Sequence, residues 1–259
     1  MLTANERLAL IRVKIERAKR HLVDLEILTH RFIQSEPYTI ARKPHPEPGY
    51  ENFNLFFMSR IDPVPTEVSA VAGDAFHNLR SALDHLACHL VLVEGNPISD
   101  KTCFPVFKGT EIHESSFARQ VEGMSDAAKD KIRSAEPYKD GKGHNLWVLH
   151  KLDIADKHHA LVAALCRVGD IKVCFDTGYW HYDFAKRRPQ FAAPSFGEPL
   201  EVGQPFFLCD RGTENKTEIT FDITLNHPDL FEPKPIVWAV KYLIDKVDGL
   251  IGEFKPLLV

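Results

Sequence analysis

The sequence has no uninterrupted run of about 18 apolar residues, so it offers no helix that would span a bilayer. It also lacks a dominant charge: 32 Lys and Arg stand against 36 Asp and Glu, for a net charge of −4. That balance removes any global electrostatic reason for tight nucleic-acid binding, although a local patch is still compatible with it. Cysteine is scarce and scattered. Cys88, Cys103, Cys166, Cys174 and Cys209 are odd in number, widely spaced and contain no CxxC, which argues against a disulfide framework and a cysteine-rich zinc site. GxGxxG, GxxxxGK[ST], GxSxG and HExxH are all missing, so a P-loop, an α/β-hydrolase and a zincin are unsupported. The first residues, MLTANERLALIRVKIERAKRH, interleave apolar and charged side chains and lack the order of a signal peptide. The expectation is a cytoplasmic protein with reduced cysteines, no membrane partner and no cofactor.

What is present reads as a globular chain. Its 259 residues are 44% hydrophobic and 26% charged, an ordinary balance with enough length for a full core. From Asn5 to about Gln34, Leu8, Ile11, Ile15, Leu22, Leu25 and Ile27/Leu28 recur at helical spacing. Arg7, Arg12, Lys14, Arg17, Lys19 and Arg20 fill the gaps as a basic outer face, and Asn5, after Thr3, is the expected N-cap. Tyr38-Thr39-Ile40 and Phe53 to Met58 flank a loop rich in Pro and Gly, which predicts a hairpin over 38–60. Helices are expected over 67–93, 145–167 and 235–252, with a short one near 125–134 capped by Ser125. The last has Pro235 in its first turn and Val237, Val240, Leu243, Ile244, Val247 and Leu250 on one face.

Strands are expected at Ile171–Phe175, Glu201–Leu208 and Glu218–Leu225, separated by AKRRPQ, AAPSFGEP and DRGTENK. The last alternates, which predicts one wet face. Phe175, Tyr179, Trp180, Phe206 and Phe207 read as core rather than as a base-stacking platform. The pattern predicts a single α+β domain over 1–259: a bundle of about four main helices, a small antiparallel hairpin, and a second antiparallel insertion over 171–225.

The helix from Gly73 to His89 is the most informative stretch. At about 100° per residue, Ala72, Ala75, Phe76, Leu79, Leu83, Leu86 and Leu90 gather on one side. The other side collects Asp74, His77, Arg80, Ser81, Asp84, His85 and His89, within reach of one another along the helix. An ordinary solvent face is the bland explanation, but such faces favour Glu and Lys, and this one has neither. A second constellation, HKLDIADKHH, puts His150, Asp153 and Lys157 on one face of a later helix and turns Asp156 toward its apolar side. A buried aspartate needs a partner, and Arg80 and His77 are candidates.

Two chemistries could use these groups. Metal-independent RNA cleavage needs an acid/base and a cation for the phosphate, which His85 and Arg80 would supply, with Asp84, Ser81 or His77 orienting them. Metal-assisted hydrolysis could use His85 and His89, spaced as two ligands on one face, with Asp153 or His158 from the later helix. Against both stands a non-catalytic binding or assembly module, in which the same groups form a structural network between helices.

Arg80-Ser81-Ala82-Leu83-Asp84-His85 resembles the RxxxxH signature of the HEPN superfamily. The resemblance implies a helical bundle, often dimeric, and in active members a metal-independent ribonuclease of defence or toxin systems. It implies Arg80 and His85 as catalytic residues meeting across two protomers, with RNA as substrate. Ser81 stands where that family commonly has Asn, Asp or His. More broadly, GDAFHNLRSALDHLACHL followed by LHKLDIADKHH resembles uncharacterised bacterial proteins sharing a GDxxHNLRxxLDHL helix and an LxxLxxxDKH segment. That second resemblance brings no activity with it and implies only that the two helices are neighbours; in the ribonuclease reading Asp74, Ser81, Asp156, Lys157 and His158 would be supporting groups.

Overall fold

The computed structural model describes residues 2–158, 164–175, 178–181, 201–210, 217–225 and 234–259. Its class is α+β, and the chain divides into two compact units. One comprises residues 1–26, 69–162 and 237–259; the other comprises 27–68 and 163–236.

The first unit is helical. It takes most of α1 (Ala4–Gln34) and α2 (Thr66–Leu92), all of α3 (Glu114–Gln120), α4 (Asp126–Ser134) and α5 (His144–His158), and α6 (Ile236–Glu253). Leu8, Ile11 and Ile15 of α1 are buried, as are Ala239, Val240, Leu243, Ile244 and Val247 of α6. The α2 stripe of Ala72, Ala75, Phe76, Leu79, Leu83, Leu86 and Leu90 is buried throughout. A helix of this length with an apolar stripe on one side gains most of its stability from that burial rather than from propensity.

Several details differ from the sequence expectation. Thr3, not Asn5, caps α1: its hydroxyl accepts from the Glu6 N–H at 3.3 Å and the Glu6 carboxylate accepts from the Thr3 N–H at 2.7 Å. This reciprocal pair satisfies two end donors at once, which a lone Asn5 would not. Arg7, assigned to the basic outer face, is buried instead, and Arg12 donates to Asp248 of α6 at 2.7 Å. Ser125 does cap α4, accepting from the Ala128 N–H. The third long helix stops at His158, and Ala164 already lies in a strand.

The second unit holds two antiparallel three-stranded sheets. Their strands are β1 (Tyr38–Pro44), β2 (Phe53–Ile61), β3 (Ala164–Phe175), β4 (Gly178–His181), β5 (Pro205–Asp210) and β6 (Thr217–Leu225). The hairpin does not stand apart: β5 joins it, giving the order β1-β2-β5, while the other sheet runs β4-β3-β6. Phe56, Met58, Phe206 and Phe221 form a buried cluster that links the two sheets, with Tyr38, Ile40 and Ile61 packed on it. Phe206 is therefore core. On β6, Phe221, Ile223 and Leu225 are buried, but so is Thr224, so the wet face is narrower than alternation predicts. The three turn segments fall largely outside the described residues, as do the side chains of Phe175, Tyr179, Trp180 and Phe207.

Candidate functional site

The α2 and α5 helices lie side by side in the helical unit, running in opposite directions. Gly73 is pressed against the Asp156 carboxylate, and a Cβ at that position would collide with it. One turn on, His77 Nδ1 meets Asp153 Oδ1 at 3.0 Å. An ionised carboxylate only accepts, so a neutral His77 carries its proton on Nδ1 and keeps the Nε2 lone pair free. The other Asp153 oxygen accepts from Lys157 Nζ at 2.7 Å. Asp153 is only 3% exposed, and these two charge-assisted bonds are what make its burial tolerable.

A second cluster sits farther along α2. Arg80 Nη2 lies 3.0 Å from Asp84 Oδ1 and donates to the Phe104 carbonyl at 2.8 Å. The same Asp84 oxygen accepts from the Phe104 N–H at 3.0 Å. Both backbone groups of Phe104 are thus met by two side chains one helical turn apart, which clamps the segment before α3 onto α2. Burial pushes the Asp84 carboxyl above its usual range, and the opposing influence of Arg80 is the smaller of the two.

These contacts redistribute the partners expected from the sequence. Asp156 is met by neither Arg80 nor His77 through a hydrogen bond; it rests on Gly73, half-buried. Burial, with Asp74 and Asp153 nearby, raises its carboxyl. His77 pairs with Asp153 instead, and Arg80 pairs with Asp84. Asp74, His85 and His158 are exposed, and Ser81 is half-buried. Arg80 and His85 leave α2 on different sides. Five residues apart on a helix, they project about 140° from each other, and Arg80 is 8% exposed while His85 faces solvent.

The His85–His89 pair fares no better as a ligand set. Burial, with Arg7 and His85 nearby, depresses His89 and so keeps its ring neutral and able to ligate, but Asp153 is committed to His77 and Lys157. Among the described residues, no group of three His, Cys, Asp or Glu is arranged to hold a metal. Burial also raises the thiols of Cys88 and Cys103, which keeps both protonated and poor as nucleophiles.

His150 was placed on a polar face by the sequence but given no role there. It lies on the α5 face with Asp153 and Lys157, and that shared face was its signal. Burial first, and Arg80 second, push its imidazole down to about 4. The Phe104 clamp gave no signal, because backbone groups look alike in any sequence. A cavity of ≈ 470 Å³ lies elsewhere in the unit, lined by Lys131, Lys142, Asn145, Asp245, Lys246 and Glu253. It contains none of the residues nominated above, and two of its lysines are paired, Lys131 with Glu253 and Lys142 with Glu136.

Among the described residues, no helix is long and apolar enough to cross a membrane. Comparison of the chain with protein-family models, curated proteins and solved structures finds no match.

Proposed function

We propose that the chain is a non-catalytic binding module in which the polar groups between α2 and α5 form a structural network. The observation that carries this reading is the state of Arg80. It is buried, and its Nη2 is spent on Asp84 and the Phe104 carbonyl of its own chain. His85, which would have to move a proton at the same phosphate, points away from it on the same helix. A catalytic pair has to converge on one reacting atom before its chemistry matters.

A second reading, a HEPN-like metal-independent endoribonuclease acting as a homodimer, is favoured by one observation. Nη1 of Arg80 has no partner among the described residues, so a guanidinium held rigid by its other nitrogen keeps a donor for a phosphate oxygen. In that reading Arg80 binds the phosphate of RNA and His85 of a second protomer is the acid/base. Asp84 or His77 orients them, with Asp74, Ser81, Asp156, Lys157 and His158 in support.

The test is cleavage of total bacterial RNA and of a labelled single strand in EDTA, for the native chain, Arg80→Ala and His85→Ala. The binding reading expects no cleavage by any of them. It also expects Arg80→Ala to lose roughly 3 kcal/mol in urea denaturation, because the Phe104 carbonyl loses its donor and the largely buried Asp84 loses its cation. His85→Ala should unfold like the native chain. Cleavage in EDTA that both substitutions abolish, with circular dichroism unchanged, would replace this reading with the second.

A further inference from the structure

The α2–α5 ladder, Gly73 on Asp156 and His77 on Asp153, is closed within the chain. The outer side of α1 is not. Leu8, Ile11, Ile15, Ala18 and Leu25 bury its inner side. Leu2, just before the helix, and Leu10, Val13, Val23 and Ile27 on it are 44% to 56% exposed. These are five of the ten large hydrophobic side chains exposed among the described residues. Single exposed hydrophobics are ordinary, but a row of them along one helix marks an interaction surface.

The row has a period. Leu2, Glu6, Ala9, Val13, Glu16, Arg20, Val23, Ile27 and His30 follow at alternate steps of four and three, and all are exposed. That is the spacing by which one helix meets another along a coiled-coil seam. Charge decides what the seam meets. Glu6 and Glu16 lie on it with Arg20 and His30, so it is not the basic stripe that suits an anionic membrane or nucleic acid. It is complementary to itself. Turned end for end about the level of Ala18, Val13 meets the partner's Val23, Ala9 the partner's Ile27, Glu16 the partner's Arg20 and Glu6 the partner's His30. A twofold axis repeats each contact. Sliding by one heptad sets Val13 against Glu16 and Ala9 against Arg20, or Glu16 against Ile27 and Arg20 against Val23. A parallel pair in register sets Glu16 on Glu16 and Arg20 on Arg20. Each alternative puts a charge on an apolar side chain or on its like. Glu6 and Glu16 each have one oxygen taken within the chain, by Thr3 and Lys19, and a second that can accept.

We propose that α1 docks antiparallel on α1 of a second copy of the chain, with Glu16 and Arg20 setting the register. The interface goes beyond the binding reading and stands without it. It also differs from the composite site that the HEPN resemblance implies, in which Arg80 and His85 of α2 meet across protomers. Polar layers in a helix seam fix orientation at a cost in stability, so the dimer dissociates on dilution.

The full chain is followed by sedimentation equilibrium from about 1 to 100 μM. The species expected at the upper end has twice the 29.4 kDa of one chain. Arg20→Glu and Glu16→Arg each put like charges in the central layers and should weaken self-association at least about a hundredfold. Mixed in equal amounts, the two variants should pair again, because each supplies the charge that the other lacks. Val13→Asp should dissociate the dimer as well, whereas Val202→Asp, on a comparably exposed valine outside α1, should not. Circular dichroism checks that each variant folds. A monomer at every concentration would overturn the interface, and so would a dimer that Val13→Asp and Arg20→Glu leave intact. Variants that stay apart when mixed would overturn the antiparallel register. A monomer that sediments with phosphatidylserine vesicles would give the face to a membrane instead. RNA cleavage in EDTA would remove the binding reading and leave this interface to stand or fall on the sedimentation.

Discussion

His150 couples the folded state to pH, with a sign that its environment fixes. Its imidazole titrates near 4 in the folded chain, against an ordinary value of 6.5. As the pH falls below about 6.5 the unfolded chain takes up a proton that the folded chain refuses, so stability is lost between pH 6.5 and 4 and is fully present above that window. Because the ring is partly exposed, the loss is on the order of 1–2 kcal/mol rather than the full value of the shift. Asp84 and Asp156, with raised carboxyls, act in the opposite sense: the folded chain holds their protons more firmly, so acidification favours it. Urea melts at pH 7 and pH 5 should therefore show a drop for the native chain that His150→Gln lacks. Equal drops in both would assign the acid sensitivity to some other group.

At the scale of elements, the approach of α5 to α2 depends on Gly73. A helix-interior glycine ordinarily costs about 1 kcal/mol relative to alanine, so Gly73→Ala should stabilise the chain if propensity alone counted. Here the added methyl group would strike the Asp156 carboxylate, and overpacking typically costs about 1–3 kcal/mol. The expectation is a net loss in Gly73→Ala and recovery to native stability or better in Gly73→Ala with Asp156→Ala. A single mutant more stable than the native chain would show that Asp156 swings aside freely. The cores of α1, α2 and α6 were legible because a long helix repeats its apolar signal over many turns. The end of α5 was not: ALVAALC suits a strand as well as a helix, and a short apolar run carries no decisive period. Helix α3 escaped because seven residues give too few turns, and His113 offers no side-chain cap. The polar face of α2 was legible, but its partners were not, because cross-helix register depends on which faces pack together. The hairpin was visible, and so was a strand near β5, but not that the two pair, because a pairing so distant in sequence leaves no local mark.

Across the whole molecule, neither unit is a continuous stretch of chain. The boundaries fall after Glu26, inside α1, and after Val68, inside α2, so continuous helices carry residues of both. A fragment spanning 69–162 would keep the α2–α5 ladder but lose the α1 and α6 segments that complete the helical unit. It should show weak helical circular dichroism and no cooperative melt; a sharp transition would mean that the ladder folds without them. The Arg12–Asp248 bond joins groups 236 positions apart, and this has a consequence for synthesis. At about 5–20 residues per second, the first helix leaves the ribosome roughly ten to fifty seconds before its counterpart in α6 has been made. Throughout that interval Leu8, Ile11 and Ile15 have only part of their eventual surroundings. The nascent chain is then a natural client for a chaperone, and slowing translation near the 3′ end of its message would lengthen that exposure without changing a single residue.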